Sequence, residues 1–178
     1  LTFLLVGRLL EAKGLYEYAE AARLVKKRHP NARFQLLGAP ESSRGGVPLE
    51  TVKGWEREGI LEYLGVTRDV RPYVGQANVV VLPSWREGLP CSLMEAMSMG
   101  RPIVATDVPG CRDVVVDGKN GFLVPVRTPE ALAKALESFR EDSALTARMG
   151  KEGRFIAETE LDARKAADLI LSVMKLVS

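Results

Sequence analysis

The chain reads as an α/β protein, a Rossmann-like doubly wound parallel sheet of about six strands followed by a helical tail. Three observations predict it. Short apolar runs rich in β-branched residues alternate with longer segments of helical period, the pattern of βαβ units. The run Val79-Val80-Val81-Leu82 is apolar at every position, as a strand covered on both faces must be. Proline or glycine stops the helical segments, Pro30 after the first and Gly100 after a later one.

The first strand is expected at Thr2 to Val6, and a helix from near Gly14 to Arg28, where Leu15, Ala19 and Ala22 recur at helical spacing. A strand at Arg33 to Leu37 leads into Gly38-Ala39-Pro40 and a loop through Ser42 to Gly46, whose glycines and serines predict mobility. A helix over Leu49 to Glu58, a strand over Ile60 to Leu64 and a short helix over Val70 to Val74 precede the strand Val79 to Leu82. Beyond the loop Pro83 to Pro90 come a helix over Ser92 to Met99, a strand at Ile103 to Ala105 and a short helix from Pro109 that ends before Asp117. Gly121 to Val124 makes the last strand, which divides a core of about 1–125 from a tail of about 129–178, helical throughout with Gly150 and Gly153 as breaks. Ligands of such a sheet sit at the carboxyl ends of strands, where strand order reverses.

Composition narrows the function. The 178 residues, 46% hydrophobic and 27% charged, suit one soluble domain, and no apolar run approaches the length of a membrane span. Twenty-five basic against 23 acidic residues give a net charge of +2, spread along the chain, which argues against nucleic acid as a partner. Cys91 and Cys111 fall in segments that read as loops, without a CxxC or a histidine cluster, so a reducing cytoplasm is expected and a metal site is not. The one histidine, His29, precedes Pro30 and reads as a helix cap. The opening Leu1-Thr2-Phe3-Leu4-Leu5-Val6 starts directly in a strand, which is the expectation for a fragment of a longer chain.

Three loops at strand ends could carry chemistry. Gly7-Arg8-Leu9 and Lys13-Gly14 present two cations able to converge on an anion such as a diphosphate; the competing reading is a solvated loop in which Arg8 pairs with Glu11. Pro83 to Pro90 runs into Ser92-Leu93-Met94-Glu95, where Ser92 and Glu95 fit a capping box, a purely structural role. The same helix start would offer amides to phosphate, and Glu87, in a glycine-containing loop, is the stronger functional candidate of the two glutamates. Asp107 to Asp113 could cradle a ligand with Gly110 and Arg112, although an ordinary turn explains it better.

The pieces VGRLLEAKG and NVVVLPSWREGLPCSLMEAMSMGRPIVATDVPGCRDVVVDGKNGFLV resemble the C-terminal, donor-binding domain of a retaining glycosyltransferase of family 4, glycosyltransferases group 1, with the GT-B fold of two facing Rossmann-like domains. The specific signal is E-G-x-P-x-x-x-x-E-A-M, with Glu87 and Glu95 eight apart. The resemblance implies that Arg8 and Lys13 hold the donor diphosphate and offset leaving-group charge, and that Glu95 binds the ribose. It implies that Glu87, with Gly88 and Leu89, faces the transferred sugar, while amides near Cys91, Ser92 and Leu93 meet phosphate. Gly7, Gly38 and the stretch Tyr63 to Arg68 complete the donor site, the last two near the base.

It further implies transfer from a nucleoside diphosphate sugar, UDP expected as the nucleotide, to a glycan, polysaccharide or lipid-linked acceptor, by same-face attack and without a metal. An N-terminal domain that supplies the acceptor pocket is absent from these residues, so this chain alone is expected to bind donor but turn it over poorly. A cytoplasmic protein is expected, free or peripheral at the inner membrane face. The alternative is a non-catalytic nucleotide-binding or regulatory domain of the same fold. A redox dinucleotide domain is disfavoured because G-R-L-L-E-A-K-G stands where G-x-G-x-x-G is needed.

Overall fold

The computed structural model describes residues 1–142 and 144–160. In chain order they form β1 (Thr2–Val6), a 3₁₀ turn (Glu11–Lys13), α1 (Leu15–Arg28), β2 (Arg33–Leu37), α2 (Leu49–Arg57), β3 (Glu62–Tyr63) and α3 (Arg71–Gln76). These are followed by β4 (Val79–Leu82), α4 (Cys91–Ser98), β5 (Ile103–Thr106), α5 (Pro109–Arg112), β6 (Gly121–Val124), α6 (Pro129–Glu141) and α7 (Leu145–Thr159). The sheet is parallel in the order β3-β2-β1-β4-β5-β6, so strand order reverses between β1 and β4.

Side-chain alternation splits β1 between two apolar layers. Phe3 and Leu5 face one layer, with Tyr18, Phe34 and, from α6, Leu136 and Phe139. Leu4 faces the other, with Val80, Met97, Cys111 and Ile156 of α7. The tail helices therefore close the sheet on both sides, α6 against α1 and α7 against α4. Tyr18 crosses its layer to put its hydroxyl 3.0 Å from the Phe3 carbonyl and 3.1 Å from that of Gln35, and burial holds its phenol well above the ordinary range.

Several boundaries move by a residue or two, as strand and helix ends do. Larger departures concern the loops and the tail. Gly150 and Gly153 do not break the tail; both lie inside α7, where a Cβ on Gly150 would stand 2.1 Å from the Gly100 carbonyl oxygen, so the glycine permits a close crossing of backbones. The tail does turn, between Glu141 and Leu145, and the expected helix beyond residue 160 lies outside the described residues. In the Ser42 to Gly46 loop, expected to be mobile, the Gly45 carbonyl accepts from the Glu11 N–H at 2.9 Å; on its flanks Val47 donates to the Leu9 carbonyl at 2.7 Å and Leu9 to that of Ala39 at 2.9 Å. No described helix is long and apolar enough to cross a membrane.

Candidate functional site

The reversal between β1 and β4 places two loops side by side at the carboxyl edge, residues 7–14 after β1 and 83–90 after β4. One backbone bond joins them, from the Trp85 N–H to the Ala12 carbonyl at 2.8 Å. From that junction Lys13 and Glu87, 74 positions apart in sequence, meet with Nζ donating to Oε1 at 2.6 Å. The pair is shielded, the Lys13 side chain 25% exposed and that of Glu87 9%.

The loop of Glu87 rests on α5. A Cβ on Gly110 would lie 2.0 Å from the Gly88 carbonyl oxygen, so only a glycine lets the helix start approach this closely. Cys111, next in that helix and fully buried, has its thiol pushed up to about 12, by burial first and then by the Glu87 carboxylate. Asp107 to Asp113 is thus more than an ordinary turn, since it is the floor under Glu87. Both cysteines sit in helices and not in loops, Cys91 exposed as the first residue of α4 and Cys111 within α5.

Arg8 does not converge with Lys13. Its guanidinium turns to Glu41, at 2.8 Å, and not to Glu11. The Arg8 side chain is 64% exposed and that of Glu41 18%. The Glu41 carboxyl is held below its ordinary range, chiefly by hydrogen bonding to Ser43, whose N–H donates to it at 3.0 Å, and then by Arg8. Glu41 escaped the sequence reading, although it is the lone carboxylate of the 38–48 stretch.

The capping box is absent. Helix α4 starts at Cys91 with Pro90 as its N-cap and no side-chain cap bond. That shift puts Ser92 inside the helix with Glu95, whose side chain is exposed with no hydrogen-bond partner among the described residues. Of the three amides expected at this helix start, two are already engaged, Cys91 with the Leu89 carbonyl at 3.0 Å and Leu93 with that of Pro90 at 2.9 Å, which leaves Ser92. Glu95 lines a groove of about 350 Å³ with Arg71, Cys91, Met94, Ser98 and Met99. Neither Lys13 nor Glu87 lines that groove.

Gly38 and the segment after β3 do come together. The Gly38 N–H donates to the Gly65 carbonyl at 2.9 Å, the Tyr63 hydroxyl donates to the Gly38 carbonyl at 2.8 Å, and Gly7 donates to the Leu37 carbonyl at 3.0 Å. Leu89 stays exposed beside Gly88. His29 is the C-cap of α1, where its N–H donates to the Val25 carbonyl at 2.8 Å. Trp85, read earlier only as part of a motif, is a hub: its indole N–H donates to Glu17 at 2.8 Å and Arg127 lies over its ring at 3.9 Å. Among the described residues no three His, Cys, Asp or Glu side chains gather as metal ligands would.

Comparison with known proteins agrees with this architecture. The N,N'-diacetylbacillosaminyl-diphospho-undecaprenol alpha-1,3-N-acetylgalactosaminyltransferase of Campylobacter jejuni is 28% identical over 83% of this chain and 38% of its own length. The D-inositol 3-phosphate glycosyltransferase of Streptomyces avermitilis is 31% identical over 97% of this chain and 40% of its own. The chain thus spans about two fifths of the length of these relatives. Among solved structures, HepE of Anabaena in complex with UDP superposes with a TM-score of 0.87 at 23% identity, covering 98% of this chain and 48% of that one. The C-terminal domain of the group 1 glycosyl transferase LpcC from Francisella tularensis gives 0.80 at 23% identity, covering 91% of this chain and 86% of that domain. The sheet and its helices are accordingly those of a GT-B C-terminal domain. The family model described as glycosyl transferases group 1 matches residues 1–142, and the chain belongs to that family.

Proposed function

We propose that this chain is the donor-binding domain of a retaining glycosyltransferase that uses a nucleoside diphosphate sugar, with UDP as the nucleotide. The observation that carries the reading is the Lys13–Glu87 pair at 2.6 Å, a shielded cation and carboxylate delivered by different loops to the point where strand order reverses. A diphosphate is the ligand that can take over Lys13, and a sugar hydroxyl is the donor that can then satisfy Glu87. Arg8, released from Glu41, and the free Ser92 amide at the start of α4 add two more donors for phosphate oxygens. Glu95, unpartnered and exposed, is left for the ribose. In this reading the base lies near Gly38 and the stretch Tyr63 to Arg68, a reading supported by the contact of Gly38 with Tyr63 and Gly65. Two of the curated relatives are named for transfer to phosphorylated acceptors, which supports a glycan, polysaccharide or lipid-linked acceptor for the full-length protein.

Catalysis in this reading is electrostatic. The acceptor hydroxyl oxygen bonds to the anomeric carbon on the face from which the diphosphate leaves, the carbon–oxygen bond to that diphosphate breaks, and the hydroxyl proton passes to the departing phosphate oxygen. Lys13 and Arg8 stabilise the negative charge that builds on the leaving group, the role a divalent ion plays elsewhere. The main part of the acceptor pocket belongs to an N-terminal domain outside these residues, and the full-length enzyme is cytoplasmic, free or peripheral at the inner membrane face. Titration calorimetry with UDP, GDP, ADP and their sugars tests the reading, and UDP binding is expected to persist in EDTA. If none of these binds at millimolar concentration to the folded chain, the proposal fails. Assay of the full-length protein against a panel of donors separates a transferase from a domain that only binds nucleotide.

A further inference from the structure

A second cationic site lies beside the first. A crevice of about 550 Å³ opens between Arg8 to Ala12, the Ser43-Arg44-Gly45 turn, and Trp85-Arg86. Neither Lys13 nor Glu87 lines it. Its charged lining is three arginines, Arg8, Arg44 and Arg86, against one carboxylate, Glu11. Most described arginines are paired with a carboxylate, as Arg33 is with Glu62, Arg57 with Glu50 and Arg112 with Asp107. Arg44 and Arg86 have no such partner among the described residues, yet they face the same space. The peptide N–H groups of Arg44 and Gly45, on the turn that forms one wall, also donate to no acceptor among the described residues.

Three guanidinium groups on separate loops suit a ligand with several anionic oxygens. Arg44 and Arg86, unpaired, can each form a bidentate fork to a different pair of oxygens, and Arg8, bonded to Glu41 at 2.8 Å, can add a third when that pair opens, whereas a single carboxylate has only two oxygens to offer. We infer that this crevice is an anion subsite for the phosphate or diphosphate of a phosphorylated acceptor, with Arg8 at the border it shares with the donor. Glu11 is suited to a hydroxyl next to that phosphate. The word acceptor rests on the proposed transferase function, while the anion site itself does not. Arg44 and Arg86 are then residues that select the acceptor and take no part in donor binding.

The test is titration calorimetry of inorganic pyrophosphate into the intact chain saturated with UDP, for wild type, Arg44→Gln/Arg86→Gln, and the charge-matched control Arg140→Gln/Lys151→Gln on α6 and α7. Saturable binding that weakens at least tenfold in the first variant and not in the control, with UDP affinity and melting temperature unchanged, supports the subsite. No saturable binding to the UDP-loaded wild type, or equal weakening in both variants, overturns it. If UDP itself does not bind, the transferase reading fails, and the same comparison without UDP still decides the anion site. Repeating the titration with a hexose 1-phosphate and with phosphatidic acid in phosphatidylcholine vesicles tells a soluble phosphate from a lipid headgroup; a loss confined to the first variant with either probe supports the site.

Discussion

The loop after β1 holds two cations against carboxylates of two other loops, and the pairs differ in how much water they admit. Lys13 and Glu87 are 25% and 9% exposed, Arg8 and Glu41 64% and 18%. The first pair is braced by α5 below and by the Trp85 to Ala12 hydrogen bond beside it, whereas the second joins a turn that stands in solvent. Unit charges attract about four times more strongly at an effective permittivity near 20 than in water. The difference teaches that equal-looking ion pairs have unequal duties. The shielded pair is part of the fold as well as of the candidate site, and the exposed pair is, under the proposed function, the clasp that an incoming anion opens.

The comparison is broken most forcefully at Lys13. Lys13→Ala strands the shielded Glu87 carboxylate and should cost about 2–3 kcal/mol, a melting temperature roughly 5–10 °C lower by calorimetry. Adding Glu87→Gln should restore most of that loss, and a single variant as stable as wild type would show that the shielding does not matter. Gly110→Ala comes next. Its Cβ meets the Gly88 carbonyl oxygen at 2.0 Å, so stability should fall by about 1–3 kcal/mol and UDP affinity with it.

On the exposed side stability and binding should separate. Arg8→Ala is expected to shift the melting temperature by less than about 2 °C, since exposed pairs contribute little, yet to weaken UDP by roughly tenfold, as loss of a charged hydrogen bond does. Glu41→Gln should have the opposite sign, raising UDP affinity severalfold by freeing Arg8, and 0.5 M salt should narrow the gain by screening the clasp. The Glu41 carboxyl is held below its ordinary value, so the clasp persists as pH falls through the usual carboxylate range and opens only below it. The advantage of the Gln variant should therefore vanish only in that more acidic window.

The smallest effect is chemical. Iodoacetamide at pH 8 should modify exposed Cys91 in the native chain and Cys111 only after unfolding, because the Cys111 thiol ionises near 12. Its raised value favours folding while the thiol is neutral. That contribution is lost as pH climbs from the ordinary 9.0 toward 12.

The sheet was legible because its signals are local. A parallel strand buried on both faces has to be written as Val79 to Leu82 is, and a helix stop as Pro30 is. The meeting of Lys13 with Glu87 could be expected only through resemblance, since nothing in a separation of 74 positions states that two loops adjoin. Spacing misled at Ser92 and Glu95. A capping box needs its serine at the N-cap, and the helix begins a residue before it, after Pro90. Glu41 and the arginine crevice were missed because an ion pair between exposed loops leaves no periodic trace. The glycines at 110 and 150 read as turn and break, when each is the point where one backbone crosses another.

The surroundings of Trp85 have an optical consequence. The chain has two tryptophans, and they report from opposite environments. Trp55 is 6% exposed with Tyr16 edge-on at 5.4 Å, away from the anion crevice. Trp85 lines that crevice, with a guanidinium over its ring and a carboxylate on its indole N–H. An anion entering beside it alters the electric field across the indole, so its emission shifts while that of Trp55 supplies a constant background. Replacing Trp55 by phenylalanine would leave a single native fluorophore whose colour follows occupancy of the crevice in real time, without a label.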